Sequence, residues 1–229
     1  MNISQNMKIL TINCDVVGSL NLVLAWDDNN LVLIDAGVPG KTDMIVRAIA
    51  NEGFRAEELT HIIITHQDWD HIGCVNDLKK LSPALKVVAH ENEAPYLDGR
   101  EIPLKLAIRL KKYDTLPEEQ RAVTDRWKDI FENAPIFVTE QVQGGQVLPI
   151  CGGIEIVHVP GHTPGHIAPY FIGSKIIICG DAANVKKGQI VGPNPIHTPD
   201  MELAEKSLDK IKSYDLSGIV AYHTGFLAV

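Results

Sequence analysis

His66, Asp68, Asp70 and His71 fall within six residues, directly after the unbroken apolar run Ile62-Ile63-Ile64. A short continuous run of this kind reads as a strand buried on both faces. Its end therefore delivers two imidazoles and two carboxylates into one small volume. In extended or loose backbone alternate residues share a face, so the spacing predicts that His66, Asp68 and Asp70 converge. Adjacent carboxylates repel one another, and a divalent cation removes the conflict. Imidazole and carboxylate both suit Zn, Fe and Mn. The fold must then bring further ligands to the same rim.

The rest of the chain offers them. His162 sits in Pro160-Gly161-His162-Thr163-Pro164-Gly165-His166, after an apolar segment that ends at Val159. Asp181 follows the run 176–179 through Gly180, and His223 follows the run 218–222. Four strand ends thus carry ligand-type residues, a common way to build a site on one rim. Each residue alone has a plainer reading. An aspartate after a strand is often a turn former, and a lone histidine is usually just hydrogen-bonded. The joint pattern is what points to chemistry.

Short apolar runs alternate with helical patterns. Residues 9–12, 20–25 and 31–34 read as strands, with a hairpin loop at 27–30. Thr42 is the expected cap of a helix whose stripe is Ile45, Val46, Ile49 and Ala50, with Gly53 just past its end. A helix is expected over about 73–80 and a strand over 86–89. Residues ~91–133 differ, being helical and highly charged. There Leu104, Ala107, Ile108 and Leu110 recur at helical spacing, with Lys105, Arg109, Lys111 and Lys112 on the other side. This segment reads as a lid, a dimer surface or a solvated insertion. Strands return at 136–138, 154–159, 168–172, 175–179 and 218–222. Thr198 and Pro199 are the expected start of a helix to about 213. The pattern predicts helices layered on sheet in one α/β domain, 1–229, with a helical insertion at about 91–133.

Composition narrows the function. The 229 residues carry 21 basic and 29 acidic side chains, a net charge of −8. An acidic balance argues against a general nucleic-acid binder and against docking on anionic membranes. No apolar run approaches the ~18 residues of a membrane span. The polar start shows no export signal, and Cys14, Cys74, Cys151 and Cys179 are scattered without a C-x-x-C pair. A cytoplasmic protein with reduced thiols is expected.

The run His66-Gln67-Asp68-Trp69-Asp70-His71 resembles the H-x-H-x-D-H motif of the metallo-β-lactamase fold superfamily. Asp35, in Leu33-Ile34-Asp35-Ala36-Gly37, matches that family's early supporting aspartate, and His162, Asp181 and His223 match its later ligands in order. The resemblance covers nearly the whole chain. It implies an αββα sandwich with two divalent metal ions, most simply Zn. His66, residue 68 and His162 would hold the first and Asp70, His71 and His223 the second. Asp181 would bridge both, and His166 would orient the loop from behind. The chain departs from the motif at Asp68, where the family has histidine. The added negative charge moves the first site toward Fe or Mn.

The activity this implies is metal-dependent hydrolysis. A metal-bridged hydroxide would attack an ester, lactone, thioester or related bond of a small-molecule substrate, with Asp70 and Asp181 positioning it. Acyl-homoserine lactonases carry a tyrosine where Asn184 stands, although an asparagine amide can still donate to an oxyanion. Glyoxalase-II-type thioesterases have a C-terminal helical domain that the six residues after His223 do not supply. Asn184 and His197 are candidates for contact with substrate. The rival from another class is a flavodiiron-like diiron module acting on oxygen or nitric oxide, because those proteins carry a carboxylate at the position of Asp68.

Overall fold

A computed structural model describes residues 1–229, apart from the side chain of Asn133. The first sheet takes its seven strands in chain order: β1 (Asn2–Ser4), β2 (Met7–Cys14), β3 (Gly18–Trp26), β4 (Leu31–Ile34), β5 (His61–Ile63), β6 (Lys86–His90) and β7 (Glu140–Val142). Neighbours are antiparallel through β4 and parallel from β4 to β7. The second sheet is built from β8 (Val147–Leu148), β9 (Ile154–His158), β10 (Ile167–Phe171) and β11 (Ile176–Ile178). A separate hairpin of β12 (Asn184–Lys186) and β13 (Gln189–Val191) follows. The chain then returns to the second sheet with β14 (Gly218–Ala221), parallel to β11, and β15 (Gly225–Ala228).

The period of two along each strand sorts the core into three layers. Ile63 faces inward with Val32, Ile34 and Val88 and meets Ile154, Ile156 and Ile178 of the second sheet. Ile62 and Ile64 face outward with Leu33, against Ile45 and Ile49 of α1 (Thr42–Asn51). Beyond the second sheet, Val157, Ile177 and Ile219 pack on Ile211. The result is helices, sheet, sheet and helices, an αββα sandwich.

The remaining helices are α2 (Trp69–Ile72), α3 (Val75–Leu81), α4 (Ala94–Leu97), α5 (Leu104–Leu110), α6 (Glu118–Asn133) and α7 (Met201–Lys212). The segment over 91–133 carries α4, α5 and α6. Three local expectations fail for identifiable reasons. Thr42 is the first residue of α1 rather than its cap, because its hydroxyl reaches across to Asp77 of α3 at 3.0 Å. The strand expected at 136–138 forms later, at β7. Ile136 is buried in the helix-side core but Phe137 is exposed, and pairing with β6 starts only when Thr139 N–H donates to Val87 at 2.9 Å. Asp200, not Thr198, caps α7, accepting from Leu203 N–H at 2.9 Å.

Candidate active site

The ends of β5, β11 and β14 and the loop after β9 open on one rim. They form the floor of a cavity of about 440 Å³. Extended backbone after β5 places His66 and Asp68 together, as alternation requires. It does not carry Asp70 with them. The chain turns into α2 at Trp69, one residue after Asp68, so Asp70 and His71 point elsewhere. Two clusters result: His66, Asp68, His162 and Asp181, and Asp70, His71 and His223. Within each, the ligand-type atoms lie within 4.8 Å of one another.

Asp181 joins the clusters through its two oxygens. Oδ2 lies 3.4 Å from His162 Nε2, while Oδ1 lies 3.5 Å from His71 Nε2 and 3.4 Å from His223 Nε2. Asp68 Oδ2 sits 3.2 Å from His66 Nε2 and 3.1 Å from His162 Nε2. Asp70 Oδ2 sits 3.4 Å from His223 Nε2.

Residues behind the rim fix the tautomers. Asp35 adopts a left-handed backbone (φ 61°), which an aspartate tolerates better than most side chains. Its carboxylate accepts from Thr65 N–H and from the Thr65 hydroxyl, both at 2.8 Å, and from His71 Nδ1–H at 2.8 Å. Since the Thr65 hydroxyl donates to Asp35, its oxygen accepts from His66 Nδ1–H at 3.0 Å. The Thr198 hydroxyl donates to Asn194 C=O, so it accepts from His162 Nδ1–H at 3.3 Å. The Nδ1 of each of the three rings is thus engaged, and Nε2 is the atom turned toward the carboxylates. His166 accepts from the Asp181 N–H at 3.2 Å and stacks on His66, holding the backbone of Asp181.

These groups fit divalent metal. His66 Nε2 and His71 Nε2 are fully buried and have no hydrogen-bond partner among the described residues. A buried acceptor without a donor is costly unless something else satisfies it, and an imidazole lone pair among carboxylates suits a cation. The charge balance agrees. Burial would raise the Asp68 carboxyl, but His66 and Lys105 hold it well below the usual range. Burial would likewise lower His223, but hydrogen bonds to Asp181 and Asp70 raise it to about 9.

Several residues besides Thr65 escaped the sequence reading. Lys105, expected on the solvent side of its helix, turns inward. Its ammonium bonds Asp68 Oδ2 and lies 2.8 Å from His162 Nε2. The apolar stripe is displaced to match, with Leu106 buried and Ile108 40% exposed. The signal was Asp68 itself, an extra carboxylate with no nearby cation in sequence. Glu93 is fully buried and ties two ligand loops together. One oxygen accepts from Gln67 N–H and Gln67 Nε2–H, both at 2.9 Å, and the other from Gly165 N–H at 2.7 Å. Gln67 Oε1 in turn accepts from Leu104 N–H at 2.8 Å. Tyr222 is buried in the helix-side core and stacks on His71. Asn184 and His197 line the cavity with Val16, Val17, Trp69 and Trp127. Among the described residues no helix is long and apolar enough to cross a membrane.

Comparison with known proteins identifies the family. A probable metallo-hydrolase of Bacillus subtilis, YflN, is 26% identical over 217 residues, covering 87% of this chain and 77% of the relative. The hydroxyacylglutathione hydrolase GloC of Haemophilus influenzae is 27% identical over 163 residues, covering 70% of this chain and 65% of the relative. The crystal structure of a metallo-beta-lactamase family protein from Thermus thermophilus superposes with a TM-score of 0.78 at 22% identity, covering 98% of this chain and 75% of that one. Residues 16–223 match the profile of the metallo-beta-lactamase superfamily, and the chain belongs to that superfamily.

Proposed function

We propose that this chain hydrolyses an ester, lactone, thioester or related bond of a small molecule, using two divalent ions. The chain is a metallo-hydrolase of its superfamily; the bond and the ion pair are the finer reading. The observation that carries it is the pair of unpartnered buried nitrogens, His66 Nε2 and His71 Nε2, on either side of Asp181. His66, Asp68 and His162 would hold one ion, Asp70, His71 and His223 the other, and Asp181 both. Asp35 and His166 support them from behind. Zn suits the imidazoles, and the carboxylate of Asp68 favours Fe or Mn in the first position.

When bound, the ions supply an acidified water as nucleophile and Lewis-acid polarisation of the scissile bond's oxygen. The protein's own groups do the rest. Asp70 Oδ2 and Asp181 Oδ1, both 3.4 Å from His223 Nε2, are placed to orient a water and accept its proton. Trp69, Trp127, Val16 and Val17 give the cavity apolar walls, and Asn184 and His197 supply donors at its edge. This lining suits a substrate with an apolar body beside its polar reacting bond.

The test is a panel of chromogenic ester, lactone, thioester and phosphodiester substrates. Each is offered to chelator-treated protein and to protein resupplied with Zn, Mn or Fe. Turnover is expected only after an ion is restored, and on at least one carboxylic bond type. Turnover confined to the phosphodiester would overturn the bond assignment. Two irons with oxygen or nitric oxide consumption and no hydrolysis would move the reading to a diiron oxidoreductase.

A further inference from the structure

The ammonium of Lys105 stands inside the first cluster. It bonds Asp68 Oδ2, the oxygen that also faces His66 Nε2 and His162 Nε2, and it is 2.8 Å from His162 Nε2. With Nδ1–H committed to Thr198, His162 has one lone pair left on Nε2. That lone pair accepts from the lysine or binds an ion, not both. The lysine is not a loose surface group, because its side chain is only 19% exposed. Its helix is tied to the ligand loop through Leu104 N–H and Gln67. Buried Leu106 and the bonds from Arg109 to Thr124 and Gln120 also anchor the same helix. No lysine or arginine among the described residues pairs with Asp70 in the second cluster, whose ion pair is with His223.

We infer that Lys105 is a built-in competitor for the first metal position, so that the two clusters fill unequally and the first fills only as Lys105 withdraws. This rests on the reading that both clusters bind metal. Lys105 and Asp68 act as a pair. The carboxylate adds a charge that a histidine would not, and the lysine neutralises it until an ion arrives. Withdrawal needs no movement of the sheets. The side chain has four methylenes, and the cavity it borders has room for them.

The experiment titrates chelator-treated protein with Zn²⁺ against a chromophoric chelator, for the wild type, Lys105→Met and Lys105→Ala. The wild type is expected to bind in two steps. Both variants should tighten the weaker step by about tenfold or more and leave the tighter step within about threefold. A weaker step that is unchanged or loosened in both variants overturns the inference while leaving the metal reading intact. Failure of the wild type to bind any ion overturns the metal reading itself. A second measurement uses only wild-type protein, so it does not depend on the variants folding. Acetylation of lysines, read by mass spectrometry, should find Lys105 protected with the first equivalent of Zn²⁺ and released with the second. Equal reactivity at every equivalent overturns the inference.

Discussion

The rings of Tyr222 and His71 stack with their centroids 3.8 Å apart, and the Tyr222 hydroxyl donates to the Asp70 carbonyl at 2.8 Å. One side chain directly after β14 thus braces two neighbouring residues of α2. The carbonyl of Tyr222 accepts from Asn21 Nδ2 and Asn21 N–H, both at 2.9 Å, which ties the same point to β3. Tyr222→Phe keeps the ring and removes the hydroxyl. The Asp70 carbonyl is left buried without a partner, which costs about 1–3 kcal/mol. Urea denaturation of metal-free protein should show that loss. Zn²⁺ titration should show the tighter step weakened more than the weaker one. A variant as stable as the wild type would show that the hydroxyl does not brace α2.

Among the described residues, Asp181 is the one carboxylate with an oxygen turned toward each cluster. Asp181→Ala should lower kcat on whichever substrate the panel identifies by about a thousandfold or more. Metal content should fall from two ions to one or fewer. Circular dichroism should stay native, since the residue lies at the cavity floor rather than in the core. Unchanged turnover would remove Asp181 from the machinery.

Metal binding should depend on pH through His223. Its pKa of about 9, above the ordinary 6.5, means that the ring carries a proton over most of the neutral range. An imidazolium has no lone pair to give, so each ion bound must displace that proton. Burial would lower His71 too, but Asp35 and Asp181 hold it well above the ordinary value, so affinity at the second cluster should rise with pH up to about 9 by roughly tenfold per pH unit for each proton released. Zn²⁺ titrations at pH 6.5, 7.5 and 8.5 give the slope. A flat profile would mean that His223 is neutral before the ion arrives.

Glu93 gives a stability effect of definite sign. Burial pushes its carboxyl up to about 7 from an ordinary 4.5, against the pull of its hydrogen bonds. The folded state thus holds the proton more tightly than the unfolded chain. That contribution is complete below pH 4.5, shrinks above it, and is lost as pH rises through 7. Its full size is about 3 kcal/mol. In chelator-treated protein, the drop in unfolding free energy from pH 5 to pH 8 should be smaller in Glu93→Gln than in the wild type by about 1–3 kcal/mol. Equal drops would place the carboxyl's titration outside this range.

Much of the molecule was legible in the chain because its signals are local. Ile62-Ile63-Ile64 announces a strand buried on both faces whatever surrounds it. A histidine or aspartate directly after such a run has nowhere to go but the rim. What could not be read depends on contacts between distant segments. Asp70 leaves the company of Asp68 because a helix starts at Trp69, and alternation says nothing about that start. Lys105 turns inward because Leu106 and the ties of Arg109 to α6 set the rotation of α5. Glu93 stands in Glu91-Asn92-Glu93, at the start of the stretch read as helical and highly charged. Only the approach of Gln67 and Gly165 makes it a buried clamp.

The seven side chains of the two clusters are divided between the sheets. His66, Asp68, Asp70 and His71 follow β5 of the first, whereas His162, Asp181 and His223 follow strands of the second. Neither cluster is complete within one half of the polypeptide. During folding, an ion meeting the first half alone finds a loop with two imidazoles and two carboxylates and no partner strand to close over it. Capture of metal is thus tied to the docking of one sheet on the other. The same bonds that would hold the ions act as cross-links between the early and late parts of the chain, fastening the sandwich at the one edge where the two sheets' ends meet.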